Sequence, residues 1–267
     1  EHPSYCGKPG TVGDRPGNFV IRNSDLVIVL GCRLNIRQIS YNWESFAPYA
    51  KIVMVDIDKY ELDKPTLSVN EKFHHNLKNF MSRLNEKTKN WKPKESHVEF
   101  LNWCKNKVLY YPVIEKKHYE NPHKLNPYAV FNELYKKVNS KDIMVLGNGS
   151  ACVIGFQSAF IKKGLRLFTN SGCASMGYAL PASIGASLSG KNTNFRVICV
   201  TGDGSIMMNL QELATIKHKA LPIKIFILDN DGYHSIRQSQ MNHFPKNVAG
   251  TGSEDGLGFP DFTKVAT

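Results

Sequence analysis

Two short apolar runs, Phe195–Thr201 and Ile223–Leu228, each end abruptly at a cluster that a buried strand would not hold. The first stops at Gly202-Asp203-Gly204-Ser205 and the second runs through Asp229 into Asn230-Asp231-Gly232. Near-continuous Val/Ile-rich runs of this length read as strands buried on both faces of a parallel sheet. Ile206 to about Lys219 reads as the helix between them. A strand–helix–strand unit makes parallel strands, so both clusters emerge on one edge of the sheet. That edge then presents oxygen ligands beside free backbone N–H groups, an arrangement suited to a magnesium ion and a diphosphate.

The same pattern recurs upstream. Asp25–Leu30 ends at Gly31-Cys32-Arg33, Lys51–Asp58 repeats it, and Ile143–Leu146 ends at Gly147-Asn148-Gly149-Ser150. Helices are expected over Phe73–Leu84, Glu95–Leu109, from Pro127 past Leu134, and over Leu180–Leu188. Pro127 suits the first turn of a helix because the N–H it lacks would be unpaired there anyway. The fold expected is α/β, with two doubly wound parallel-sheet domains. Residues 1–88 form the first, 126–267 the second, and the Lys/Asn/Trp/Tyr-rich stretch 89–125 connects them.

With 42% hydrophobic residues the chain can build a core. Its formal charge of +11 raises the question of nucleic acid or anionic membrane. The lysines are scattered, and no basic stripe interleaves with aromatics, so a solvated basic surface is expected and neither partner. The six cysteines form no C-x-x-C pair and read as reduced thiols rather than a disulfide frame or zinc site. No apolar run is long enough to span a bilayer, and a cytoplasmic location is expected. The chain opens without Met, at Glu1-His2-Pro3, and is expected to be a piece of a longer protein, truncated at its C-terminus too.

Magnesium takes near-octahedral oxygen ligands, commonly one or two carboxylates together with phosphate oxygens. The Asp203 carboxylate, the Asn230 side-chain oxygen and the Gly232 carbonyl could supply three. Gly204 and Ser205 would offer backbone N–H groups to the diphosphate. G-D-G and N-D-G are ordinary turn tripeptides when alone. The two together at successive strand ends point to a site.

The segment from Gly202-Asp203-Gly204 to Asn230 resembles the thiamine-diphosphate signature, G-D-G followed some 25 residues later by Asn. Ser205–Thr215, Leu221–Ile225 and Asn170–Pro181 resemble the large subunit of acetolactate synthase and its relatives. Gly31-Cys32-Arg33 and Val55-Asp56-Ile57-Asp58 resemble the central domain of that family. The resemblance implies that the first domain is a Rossmann-like central domain and the second a thiamine-diphosphate-binding fold. It implies thiamine diphosphate and Mg2+ as cofactors, with Asp203, Asn230 and Gly232 as metal ligands. Asn148, Gly149, Ser150, Gly202, Gly204, Ser205 and Tyr233 would line the cofactor. Met176 would be the apolar wedge that bends it, and the Ala174 carbonyl would accept a hydrogen bond from its aminopyrimidine. A core residue is the alternative reading of Met176, since burying a Met stabilises a fold by about 1.5–3 kcal/mol without any cofactor, and its Ala/Ser/Gly neighbours favour the wedge. His234 could shuttle a proton at the substrate or be an exposed loop histidine, and His74-His75 reads as surface.

The activity implied is decarboxylation of a 2-oxo acid with transfer of the acyl-anion equivalent to an acceptor, in a homodimer or homotetramer with sites between subunits. Three departures accompany it. The family's catalytic glutamate belongs to a domain that would precede Glu1. Arg33-Leu34-Asn35-Ile36-Arg37 lacks the two carboxylates of the family's flavin-contacting run, which argues against FAD. Ser239 stands where the synthase carries a substrate-selecting tryptophan. Decarboxylation or hydrolysis of another substrate, and a non-catalytic nucleotide-binding module, are the alternatives. A nicotinamide oxidoreductase is disfavoured, since no G-x-G-x-x-G follows a strand and opens a helix.

Overall fold

The computed structural model describes residues 2–189 and 195–266. It divides into two compact units, 1–113 and 114–267. Both are α/β, and each carries one sheet of parallel strands. Among the described residues no helix is long and apolar enough to cross a membrane.

The first unit contains α1 (Arg15–Arg22), β1 (Leu26–Leu30), α2 (Ile36–Ile39), β2 (Lys51–Asp56), α3 (Lys59–Asp63), β3 (Glu71–His74), α4 (Leu77–Lys87) and α5 (Glu95–Tyr110). Its strands pair in the order β1-β2-β3. Val27, Val29, Ile52 and Met54 pack with Leu34, Ile39, Ala47 and Leu62 in one core. The alternate side chains of β1, Leu26, Ile28 and Leu30, are exposed. In β1 the apolar run that suggested burial on both faces is therefore buried on one, since side chains two apart share a face; on the opposite face burial is reached in β2, where Val55, the register partner of Leu30, is fully buried.

Two expected features of this unit change. Phe73 lies in β3 and not in a helix, since 71–74 pair in parallel with 53–56 of β2. The helix starts later, at Leu77, where the Asn76 side chain caps the Lys78 N–H at 2.9 Å. His74 is accordingly a strand residue, exposed, with its Nε2 2.9 Å from the Ile57 carbonyl. Helix α5, placed by the sequence in the connecting stretch, belongs to this unit: it packs on α1, and the rings of Phe19 and Tyr111 stand 5.0 Å apart.

The second unit runs α6 (Pro127–Lys137), β4 (Ile143–Leu146), α7 (Ser150–Gln157), β5 (Arg166–Thr169), α8 (Ala179–Ser189), β6 (Val197–Gly202), α9 (Asp203–Ile206), α10 (Glu212–His218), β7 (Ile223–Leu228), α11 (His234–His243) and α12 (Phe262–Val265). The strand order is β5-β4-β6-β7. From β4 the chain steps outward to β5, then returns to β6 on the other side of β4, so the sheet is doubly wound. Met144, Leu146, Ile198 and Val200 face a core with Phe131, Tyr135 and Ala151 of α6 and α7. Val145, Val197 and Cys199 face the other way, toward Ala179, Leu180 and Ala186 of α8. Continuous apolar strands are what two covered faces require.

The single helix expected over 206–219 is two helices. Helix α9 starts at Asp203 itself, a tight 3-10 turn occupies Met207–Asn209, and α10 begins at Glu212. At that break the Asn209 side chain donates to the Gly177 carbonyl at 2.9 Å, a bond that holds the turn against the 170–177 segment.

Candidate functional site

In a doubly wound sheet the strands on either side of the reversal send their following loops apart, and the crevice between them is where ligands bind. Here the reversal lies between β4 and β6. Leu146 and Val200 are register partners, and the Gly147 N–H donates to the Val200 carbonyl at 2.8 Å. Gly147–Ser150 and Gly202–Ser205 thus leave the sheet side by side. Parallel pairing of β6 with β7, through Gly202 and Leu228, brings the 229–233 loop to the same edge.

Asp203 is the centre of this edge. It is 1% exposed. Its Oδ2 accepts the N–H groups of Gly232 at 2.7 Å and Asn230 at 3.1 Å, and its Oδ1 accepts the N–H of Gly204 at 2.7 Å. No Lys, Arg or His side chain among the described residues pairs with it. Burial pushes its carboxyl above its ordinary value; the three N–H groups pull the other way, and neighbouring Asp229 adds to the rise. A buried carboxylate whose charge is met only by backbone dipoles is costly, and a metal cation is the partner that would offset this. Among the described residues no three His, Cys, Asp or Glu side chains gather in a metal-binding group. A cation here would rest on the carboxylate with amide and carbonyl oxygens, the ligand types magnesium accepts alongside phosphate.

The structure gathers Asp203, Gly204, Asn230, Gly232 and Tyr233. The Tyr233 ring lies so close over Gly204 that a Cβ there would collide with it. The Gly204 N–H, expected to face a phosphate, is engaged by Asp203. Ser205 is buried and its hydroxyl accepts the Gly177 N–H at 3.0 Å. This bond and the Asn209 bond anchor the turn that carries half-buried Met176. In the same turn Ala174 has φ +53 and donates its N–H to the Asn170 carbonyl at 2.7 Å. Asn148 is half-buried, and Gly149 is exposed with open space where a side chain would stand. Together they lead into Ser150, the first residue of α7. His234 is exposed at the start of α11; its backbone N–H donates to the Gly232 carbonyl at 3.1 Å.

Thr251, Arg237 and Asp255, which the sequence did not single out, also belong to this edge. Buried Thr251 accepts the Tyr233 N–H on its carbonyl at 2.8 Å. The only hint in sequence was the glycine-rich tract 249–258, which marks a turn without saying what it touches.

Two family models match the chain. Residues 147–267 match the thiamine pyrophosphate enzyme C-terminal TPP binding domain, and residues 1–84 match the thiamine pyrophosphate enzyme central domain. The chain belongs to the thiamine pyrophosphate enzymes. The C-terminal domain match begins at Gly147, at the end of β4, and spans the whole of the edge just described. Similar relatives include the acetolactate synthase large subunit of Cyanidium caldarium, 32% identical over 99% of this chain and 44% of its own length. The acetolactate synthase isozyme 2 large subunit of Escherichia coli (strain K12) is 27% identical over 100% of this chain and 46% of its own. A probable acetolactate synthase large subunit of Methanococcus aeolicus is 30% identical over 99% and 45%. The chain spans less than half the length of these relatives.

Proposed function

We propose that this chain forms the diphosphate- and metal-binding part of a thiamine-diphosphate- and Mg2+-dependent enzyme that decarboxylates a 2-oxo acid and passes the acyl group to an acceptor, as an acetolactate-synthase-like carboligase. The observation that carries this reading is the buried Asp203 carboxylate, with no cationic side chain among the described residues paired to it, at the crevice where β4 and β6 diverge. Asp203, the Asn230 side chain and the Gly232 carbonyl hold the metal. Asn148, Gly149, Ser150, Gly202, Gly204 and Ser205 line the diphosphate. Met176, on a turn tied to Ser205 and Asn209, presses on the cofactor from the apolar side, and the Ala174 carbonyl receives its amino group. Tyr233, packed on Gly204, lines the cofactor beside Asp203. When bound, thiamine diphosphate supplies an electron sink for the charge left as a 2-oxo acid loses carbon dioxide. The chain's own residues orient it and exclude water. Exposed His234, beside the metal loop, holds or moves a proton at the substrate. The parent protein assembles as a homodimer or homotetramer, and the Arg33–Arg37 run does not take part in flavin binding.

Calorimetric titration with thiamine diphosphate tests the site. Wild-type protein binds it only when Mg2+ is present, and Asp203→Ala does not bind it in either condition. Equal binding with and without the metal, and by the variant, would sink the assignment.

A further inference from the structure

The loop after β7 holds an unusual backbone. Asp231 has φ +60 and Gly232 φ +118, two successive residues in the left-handed region. A non-glycine residue keeps such a conformation only where its surroundings over-determine it. The peptide unit between these two residues is held at both ends. Its N–H, on Gly232, donates to Asp203 Oδ2 at 2.7 Å. Its carbonyl, on Asp231, accepts from Arg237 Nη2. A trans peptide is planar with its C=O and N–H pointing in opposite directions. Fixing the oxygen therefore fixes the direction of the N–H.

Arg237 is itself braced. Its Nη2 also donates to the Thr251 carbonyl at 3.0 Å, and its Nε to Thr251 Oγ1 at 3.3 Å. Thr251 is fully buried. Asp255 accepts the N–H groups of Thr251 and Gly252, each at 2.6 Å. Ser253 donates its hydroxyl to the Asp231 carboxylate at 2.8 Å. A side chain at Gly252 would collide with the Arg237 guanidinium.

We propose that Arg237 is a positioning residue for the metal ligands: through the Asp231–Gly232 peptide it aims an N–H at the Asp203 carboxylate and keeps Asn230 and the Gly232 carbonyl in place around it. The inference rests on the reading of Asp203 as a metal ligand. The guanidinium also polarises the peptide it holds, which strengthens the N–H bond at the far end. A lysine cannot replace it, because one ammonium does not reproduce the planar fork that spans Asp231 and Thr251.

Mn2+ is the probe, its free concentration read by electron paramagnetic resonance with thiamine diphosphate in excess, on the intact chain. Arg237→Lys and Arg237→Gln are each expected to weaken Mn2+ binding by about tenfold, as loss of an outer partner of a metal ligand does. Arg237→Lys keeps the cation and is the variant for which the thermal midpoint should move least. Mn2+ affinity equal to wild type in Arg237→Lys overturns the inference, whatever happens to the midpoint. Wild-type protein that takes up no Mn2+ overturns the site reading and this inference together. Wild-type uptake with unchanged uptake by Arg237→Lys overturns only the inference.

Discussion

The Tyr233 ring rests on Gly204, with the space of one methyl group missing between them. Tyr233 follows β7 and Gly204 follows β6, so this contact joins the two loops that flank Asp203. The ring also meets Phe259 edge-on, at 6.4 Å between centroids.

Gly204→Ala is therefore expected to push the Tyr233 ring away and to destabilise the fold by about 1–3 kcal/mol, the usual cost of overpacking. Tyr233→Ala in the same chain should relieve the collision. Urea unfolding of both single variants and the double variant measures this; strictly additive effects would show that ring and glycine do not meet.

Ser205→Ala should remove the acceptor for the buried Gly177 N–H, at a cost of about 1–3 kcal/mol for the unpaired group. Ser205→Thr keeps the hydroxyl and should recover most of it. Because the same bond anchors the Met176 turn, thiamine diphosphate affinity should follow stability across the pair. A Ser205→Ala midpoint equal to wild type would contradict the geometry.

Ala174 sits at φ +53, where a Cβ is strained. Glycine relieves a strain of about 1–2 kcal/mol but adds freedom to the unfolded chain. Ala174→Gly should thus leave stability unchanged or raise it by up to about 1 kcal/mol, and Ala174→Val should lower it. Thermal unfolding that ranks Val above Gly would refute the strained turn.

Asp142 is 2% exposed and bound by Arg196 through Nε at 2.9 Å and Nη2 at 2.5 Å, with the Asn139 N–H at 2.6 Å. Burial alone would raise its carboxyl, but Arg196 and the backbone N–H groups outweigh that and hold it below its ordinary value. A lowered carboxyl contributes stability above its unfolded value, near pH 4, which is lost as pH falls through the folded value. Arg196→Met should destabilise the protein at pH 7 by about 1–3 kcal/mol, since it strands a buried charge whose partner is half exposed to solvent. The gap to wild type should close in acid, where protonated Asp142 needs no cation. A gap that stays constant from pH 7 to pH 3 would refute the pairing.

Much of the second unit was legible because its signals are local. Strand β7 and strand β4 follow directly from Val/Ile/Leu runs, and α6 from Asn126-Pro127, whose Asn caps the Tyr128 N–H at 2.9 Å. Phe73 was misread because two elements of four and eleven residues abut with only His75-Asn76 between them, and an apolar residue near the join fits either period. Strand β5 is only four residues, Arg166–Thr169, and helix α7 has no side-chain cap and no polar–apolar alternation across its Ala151–Ile154 run, so neither has a clear local signature. The candidate site was legible as a pair of turns, Gly202–Ser205 and Asn230–Gly232, because two such turns at successive parallel strand ends fall on one sheet edge.

The amino-acid sequence by itself determined the chemistry at the sheet edge: which strands end in oxygen ligands and glycines, and the family whose signature they match. Only the tertiary structure decided the order β5-β4-β6-β7, which sets the Gly147 turn next to Asp203, and the cluster of Arg237, Thr251 and Asp255 that holds the 229–233 loop. Strand ends and turn residues are set by neighbours in the chain. A guanidinium reaching a carbonyl six residues back and a buried threonine fourteen residues ahead depends on how the 229–233 loop and the 249–258 tract fold against each other, and no pattern along the chain encodes that meeting.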